Sequence, residues 1–448
     1  MISVLYMASN SRNHFSSKFG FIMAAAGSAI GLGNIWGFPT QTANNGGAVF
    51  LIIYLLMVFL LAFPILVAEL TIGRYAQSNP IRSLKKISPK WKISWIAIIS
   101  IVAVSLILSF YAIIAGWLIG YFISNGVKLL GMNNTANWLT TFSIARNLML
   151  MIIFMLLTML VVRNGIANGI EKCSTYLMPL LLVLFIIMTI YIFTQSGAKE
   201  GLKMYLIPDF SHLSFNLAIS AMGQAFFSLS LGVCTMMVYG SYLKKDTNLP
   251  TIAAQVAIFD TAIAFIAGLL ILPAMFVAQN NGVQIFSESG KLLHSDTLVF
   301  KVLPNLFNTM GTSGLVISSI FFLLMIIATL TSSISMLEVP VSCAIEELNQ
   351  SRSIAVTWIS VIIITISSII IWNFNELFSF FVQLTTVYMQ PIIGLFIALI
   401  SGWLWNRNKV LQELKKGYAN IQESFFWKIW PIYIKIICPI FMLLIFFH

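Results

Sequence analysis

The sequence predicts an all-α integral membrane protein built as two five-helix repeats plus one further helix, with the first and sixth helices interrupted near mid-membrane. Three observations carry this. The 448 residues are 59% hydrophobic and only 9% charged, against roughly 25% charged in an average soluble domain. The apolar residues fall in runs of about 20 or more, long enough to cross a bilayer. Two runs, in corresponding places of the two halves, are broken by Gly, Ser, Asn or Pro. Irregular backbone at that depth is tolerated only where it is buried in protein or lines a polar cavity.

In chain order the predicted spans are 19–42, 47–72, 94–124, 144–162, 173–195, 214–240, 250–278, 313–345, 354–372, 376–403 and 429–447. The first repeat then occupies 19–195, the second, inverted one 214–403, and the eleventh helix 429–447, all in a single domain of residues 1–448. Small residues in "AAAGSA" suggest a cleavable leader, but the apolar run continues past them, so it reads as a retained first span. With the N-terminus in the cytoplasm, only Lys128, Arg146, Lys199, Lys203, Lys291 and Lys301 of the 25 lysines and arginines lie outside. The positive-inside rule therefore places the N-terminus inside and the C-terminus outside. The same distribution explains the net charge of +11 without any nucleic-acid partner. The outer loops 196–213 and 279–312 are expected to form structured caps.

Enzymatic chemistry is not indicated. The four cysteines, Cys173, Cys234, Cys343 and Cys438, are scattered without a CxxC pair, and the four histidines sit at or beyond span ends. No Ser–His pair or metal-ligand spacing occurs.

The first interruption is "GSAIGLGNIWGFPT", Gly27 to Thr40, and the second is "GQAFFSLSLGVC", Gly223 to Cys234. One such break would be explained by close helix packing through small residues. Two in corresponding spans point to a transporter's central site, because unwound segments free carbonyls for a cation and expose half-helix N-termini to an anionic group. The predicted ligands are a small hard cation and a carboxylate. Asp260, in "AIFDTAIAFIAG", either hydrogen-bonds a neighbouring helix while protonated or faces that cation while ionised; the second fits the site better. Glu69, ending the second span, is expected to accept hydrogen bonds from unwound backbone of span six. Glu338 has no assigned role. In "ATLTSSISM", Thr331 and Ser332 with Ala328 either bond back to their own helix or form one face of an oxygen cage.

These stretches, with "NNGGAVFLIIY", "ELTIGRY", "YGSYLKKD" and "LTSSIS", resemble the neurotransmitter:sodium symporters over nearly the whole chain. Bacterial members of that family are amino-acid transporters with the LeuT fold. The resemblance implies sodium-coupled symport of a hydrophobic α-amino acid into the cell by alternating access, in the inner membrane of a bacterium. It also implies two sodium sites. One uses the Ala29 carbonyl, the Asn34 amide oxygen, Ser228, Asp260 and the substrate carboxylate. The other uses the carbonyls of Gly27, Ile30 and Ala328 and the hydroxyls of Thr331 and Ser332. The substrate carboxylate would meet the N–H groups of Leu32 and Gly33 and the Tyr111 hydroxyl, and its ammonium the carbonyls near Ala29, Phe227 and Ser228. Gly31 stands where monoamine carriers have aspartate, which implies an α-amino acid. Ile107, Tyr111, Phe227, Ser230, Val233 and Met336 would line an uncharged side-chain pocket, and an uncharged pocket disfavours charged substrates.

The resemblance also assigns an inner gate. Arg12 pairs with Glu346, Phe15 replaces the usual tryptophan, and Gly169 and Pro179 lie where the family's fifth helix unwinds. The outer gate departs from the pattern. The usual arginine is Gly37, and span ten has Val382 where the partner aspartate belongs. Tyr111 and Phe227, with Gln41 or Gln383, are the expected substitutes. Ala264, one turn beyond Asp260, implies that chloride is not required. Two other readings stay open: a sodium- or proton-coupled carrier of another organic solute, and a transport-dead amino-acid sensor.

Overall fold

The structure, a computed structural model, describes residues 14–89, 93–285 and 298–447. Every regular element in them is helical. Short polar residues start the helices by accepting otherwise unpaired N–H groups. The Ser17 hydroxyl accepts from the Gly20 N–H at 2.9 Å, and Ser143, Ser214 and Asn248 do the same for the helices beginning at Ile144, Phe215 and Leu249.

Among the described residues nine helices are long and apolar enough to cross a membrane: Ala48–Ala76, Ser94–Leu129, Ile144–Arg163, Ile166–Phe193, Leu249–Asn280, Ser313–Glu347, Arg352–Trp372, Phe374–Leu404 and Phe425–Phe446. The pair Lys18–Ala29 and Gly33–Asn44, bent by 55° at its break, makes a tenth. At the predicted sixth span the chain instead forms Phe215–Ser228 and Thr235–Ser241, separated by residues 229–234. Neither piece is long enough to cross alone, so a test of length and composition gives ten crossings where the sequence predicted eleven.

Close backbone approach fixes the broken pieces. Thr235–Ser241 lies against the end of the second span, where a Cβ on Gly73 would sit 1.9 Å from the Met237 carbonyl oxygen and one on Gly240 2.6 Å from that of Leu70. Only glycine permits that contact, the small-residue packing characteristic of membrane helices. Lys18–Ala29 packs against Lys172–Phe193, Leu249–Asn280 and Gly311–Glu347. The loop 196–213 carries the helix Ala198–Leu206, which lies on Leu249–Asn280 with the Tyr205 hydroxyl donating to the Phe265 carbonyl at 3.0 Å. The expected cap is therefore structured here. Of the loop 279–312, residues 286–297 lie outside the described residues, and Leu303–Thr309 is a short helix.

A buried ion pair closes the opposite end. Arg74, with no exposure, donates from Nε to Glu413 Oε1 at 2.9 Å and through its other nitrogens to the Thr247 and Glu413 carbonyls. Glu413 also accepts from Lys416. Removing one partner strands the other as an uncompensated buried charge. Glu413→Gln is therefore expected to destabilise the protein by about 3–5 kcal/mol, read as a lowered melting temperature in detergent. Arg82→Gln, which breaks the half-exposed Arg82–Glu347 pair, should cost about 0–1 kcal/mol. Equal losses from the two variants would contradict this account.

Candidate functional site

Helix Lys18–Ala29 stops because Ile30 turns extended, with φ −75° and ψ 111°. The freed groups find side chains in place of their helical partners. The Leu32 N–H reaches the Tyr111 hydroxyl at 3.4 Å, and the Gly31 N–H the Asn34 Oδ1 at 3.3 Å. The Ser28 carbonyl accepts from the Ser230 and Ser332 hydroxyls at 3.0 and 3.2 Å. The Gly33 carbonyl accepts from Gln224 Nε2 at 2.9 Å.

The second break is satisfied the same way. Ser230, Gly232 and Cys234 all take positive φ, which ends any helix. Glu69 Oε1 accepts the Gly232 N–H at 2.8 Å, as the sequence suggested. The Gly232 carbonyl accepts from Ser100 Oγ at 3.2 Å and the Leu231 carbonyl from Gln390 Nε2 at 2.8 Å. Sequence reasoning missed Ser100, Gln224 and Gln390. The available signal was a polar side chain inside a strongly apolar span, with Gln390 immediately before Pro391.

Where the two breaks meet, three predicted residues form one buried cluster. Asn34 Nδ2 lies 2.7 Å from Asp260 Oδ1 and 2.9 Å from Ser228 Oγ, and Ser228 Oγ donates to Asp260 Oδ2 at 2.8 Å. Tyr54, also missed, donates to Ser228 Oγ at 3.3 Å. Asn34 turns its amide nitrogen, not its oxygen, toward the carboxylate, since a lone carboxylate attracts the donor end. A cation seated there requires the amide to turn over.

The second predicted oxygen set is divided. Thr331 stands against Gly27, where a Cβ would lie 3.0 Å from Thr331 Cβ. Its hydroxyl bonds the Ile327 and Ala328 carbonyls, each at 3.1 Å, the back-bonding alternative for this stretch. Ser332 instead bridges to Ser28, next to Ala29, while the Ile30 N–H stays in the first helix by donating to Ala26.

Several of the residues expected to bind substrate lie around the first break. A Cβ on Gly31 would lie 2.7 Å from the Tyr111 hydroxyl and 3.3 Å from Ser332 Oγ, and one on Gly33 3.0 Å from the Phe227 ring. Ile107 precedes Tyr111 by four residues and Met336 follows Ser332 by four, so each shares its helix face. Ile107, Val233 and Met336 are buried.

A family model described as the sodium:neurotransmitter symporter family matches residues 12–149 and 127–448. The chain belongs to that family. It is 34% identical to the uncharacterised sodium-dependent transporter YhdH of Bacillus subtilis (strain 168), covering 97% of both chains. It is 30% identical to an uncharacterised sodium-dependent transporter of Haemophilus influenzae, again over 97% of each. A crystal structure of MhsT in complex with L-phenylalanine superposes with a TM-score of 0.84 at 36% identity, covering 97% of this chain and 99% of that one. The protein is thus a sodium-dependent symporter of this family, with the LeuT fold and multiple membrane crossings, and not an enzyme.

The residues expected at the gates make the following contacts. Arg12 lies outside the described residues; Glu346 accepts from the Asn79 N–H at 2.9 Å and its Nδ2 at 3.1 Å. Phe15 fills the tryptophan position, buried edge-on against Phe21, Tyr239 and Tyr242. An unforeseen latch lies beside it. Glu171 accepts from the backbone N–H and hydroxyl of both Ser16 and Ser17, at 2.7 to 3.1 Å. Gly169 sits in a π-helical turn two residues before Glu171, packed closely enough on the preceding helix that a Cβ would lie 2.2 Å from the Val161 carbonyl, and Pro179 lies inside the following helix. Glu338, unassigned from sequence, pairs with Arg352 and accepts from Tyr242.

On the other side, Gly37 faces Gln224, and Gln41 Oε1 accepts from Asn45 in its own helix. An aromatic layer lies on this side. Trp36 and Trp117 both stand edge-on to Phe300, Trp117 tilts on Phe374, Phe374 stacks on Phe378 at 4.7 Å, and Phe378 meets Phe110.

Glu69 bears directly on the second break. Glu69→Leu leaves the buried Gly232 N–H unpaired, which should cost about 1–3 kcal/mol. The checks are the melting temperature and sodium-dependent ligand binding, both expected to fall. Glu69→Gln keeps an acceptor and should recover most of the loss; identical behaviour of the two variants would refute the assignment.

Proposed function

We propose that this protein carries a hydrophobic α-amino acid into the cell with sodium, in the inner membrane of a bacterium, with its N-terminus inside and its C-terminus outside. The observation that carries the reading is the buried Asn34–Ser228–Asp260 cluster at the junction of two broken helices. A carboxylate with no cationic side chain beside it, among hydroxyls and freed carbonyls, suits a hard monovalent cation. In this reading the pair Phe215–Ser228 and Thr235–Ser241 counts as the eleventh crossing, and residues 19–195 and 214–403 as the two inverted repeats.

Sodium at the first site rests on the Ala29 carbonyl, Asn34, Ser228 and Asp260, and sodium at the second on Gly27, Ile30, Ala328, Thr331 and Ser332. The substrate carboxylate takes the Leu32 N–H that Tyr111 now accepts, joined by Gly33 and the Tyr111 hydroxyl. Its ammonium lies toward the Ala29, Phe227 and Ser228 carbonyls. Gly31 leaves no room for an aspartate beside Tyr111, which favours a substrate bringing its own carboxylate. Ile107, Phe227, Ser230, Val233 and Met336 receive an uncharged side chain. The MhsT complex with L-phenylalanine supports a substrate of that class. Binding of sodium and substrate together shifts the population between outward- and inward-open states. The aromatic layer closes the outer side, and the Phe15, Glu171 and Glu346 contacts, with unwinding near Gly169 and Pro179, control the inner side.

Thermal stabilisation tests the assignment, because a ligand that binds only the folded state raises the melting temperature. Leucine, methionine or an aromatic amino acid should stabilise the purified protein in sodium but not potassium buffer, while aspartate and lysine should not. Asp260→Asn should weaken that sodium-dependent stabilisation by at least about tenfold in ligand concentration, roughly the 1.4 kcal/mol that one lost charge contact supplies. No shift with any amino acid in sodium, from protein that remains folded, would overturn the amino-acid assignment.

Asp260 itself supplies a fixed negative charge at the cation site, and Ala264 one turn beyond offers no hydroxyl. Uptake into liposomes should therefore continue when chloride is replaced by gluconate. Collapse of uptake on that replacement would contradict the proposal.

A further inference from the structure

The connection between Phe374–Leu404 and Phe425–Phe446 carries a feature that sodium-coupled transport does not use. A cavity of about 210 Å³ lies there, on the side where Arg407, Lys409, Lys415, Lys416, Lys428 and Lys435 cluster. Its polar lining is Ser401, Trp405, Arg407 and Lys435.

Two of these groups are buried hydrogen-bond donors without an acceptor. Ser401 is 5% exposed and Trp405 4%, and neither Ser401 Oγ nor Trp405 Nε1 has a partner among the described residues. Leaving such groups unpaired in an apolar surrounding is costly, so each calls for an explanation. A tryptophan N–H can only donate, so whatever satisfies it must be an acceptor. The two cations at the same cavity are held by rings rather than by acids. Lys435 Nζ lies 4.3 Å from the Trp403 ring centre, and the Arg407 guanidinium 5.5 Å from that of Trp427. Neither pairs with a carboxylate among the described residues. Two unpaired donors and two positive charges around one cavity describe a receptor for an anion rich in acceptor oxygens.

The surroundings narrow its source. The cavity lies where two spans end, among Trp403, Trp405, Trp427 and Trp430, and tryptophan concentrates at membrane–water interfaces. Ile432, on its rim, and Trp403 beside it are 59% and 62% exposed on the outside of the bundle. Lys435 starts inside the span Phe425–Phe446 and bends its ammonium over Trp403, the snorkelling geometry of an interfacial lysine. We infer that this cavity binds a phosphate group, carried by an anionic phospholipid or free in solution, with Ser401 and Trp405 donating to its oxygens and Arg407 and Lys435 balancing its charge.

The test uses delipidated full-length protein in detergent with three probes: dioleoylphosphatidylglycerol, dioleoylphosphatidylcholine and inorganic phosphate. Binding is counted by native mass spectrometry and stability read from the melting temperature. If a lipid phosphate fills the site, one copy of phosphatidylglycerol should bind about tenfold more tightly than phosphatidylcholine, the worth of a charge-assisted contact. Millimolar phosphate should then fail to displace it. Displacement by phosphate, with equal weak binding of both lipids, assigns the site to a soluble anion.

In either case the double variant Arg407→Gln and Lys435→Gln should lose the anion preference. Ser401→Ala and Trp405→Phe carry an additional signature. Each removes a donor that is unpaired without the anion, so the ligand-free melting temperature should hold or rise while stabilisation by the anion shrinks. The inference is overturned if neither phosphatidylglycerol nor phosphate binds in preference to phosphatidylcholine. Anion binding that Ser401→Ala and Trp405→Phe leave unchanged would also overturn it.

Discussion

Two helices are broken in the middle of this membrane protein, and each backbone group freed by the breaks must find a partner within the protein. Lipid offers none, and an unsatisfied buried amide or carbonyl costs several kcal/mol. Much of the interior is arranged around this requirement. Glu69, Ser100 and Gln390 come from the second, third and tenth spans to meet residues 231–232 of the sixth. Tyr111, Gln224, Ser230 and Ser332 do the same for residues 28–33 of the first. The breaks are thus held by elements distant in sequence, and the elements are in turn held by the breaks.

That interdependence suits a transporter. Hydrogen bonds such as the Ser230 and Ser332 hydroxyls to the Ser28 carbonyl link the first, sixth and eighth spans directly at the site. Exchanging them for contacts to ions and substrate changes how those spans are held together. Ligand occupancy can then bias the conformation, as a differential affinity for two states requires. Charge is treated with the same economy. Asp260 is buried among neutral donors, whereas the Arg74–Glu413 and Arg352–Glu338 carboxylates face arginine directly. The latter pairs tie helix ends together; the former has charge to offer a cation.

In the proposed outer gate, ring contacts stand where the family resemblance expects an ion pair. With Gly37 and Val382 at the positions of the family's ion pair, neither charge remains to be stranded. The surface proposed to close there is a layer of aromatic rings from Trp36 to Phe378. Ring contacts of this kind contribute about 0.5–1.5 kcal/mol each beyond their buried area, without the desolvation cost of charges.

The amino-acid sequence alone determined the membrane class and the position of both breaks, because apolar run length and helix-breaking residues are local properties; Asn34, Ser228 and Asp260 were grouped only through the family resemblance. Glu69 was legible for the same reason, as an ionisable group in an apolar span, whereas the roles expected of Gly31 and Tyr111 came from that resemblance. The tertiary structure decided what no local pattern encodes. It set which way the Asn34 amide points, that Thr331 bonds back to its own helix while Ser332 crosses to another, and that the sixth span divides into pieces too short to cross alone. It also revealed Gln224, Gln390, the Glu171 latch and the aromatic layer, whose members lie far apart along the chain. A side chain's type is written in the sequence, but a hydrogen bond depends on the distance between two groups, and for residues on different helices packing alone fixes that distance.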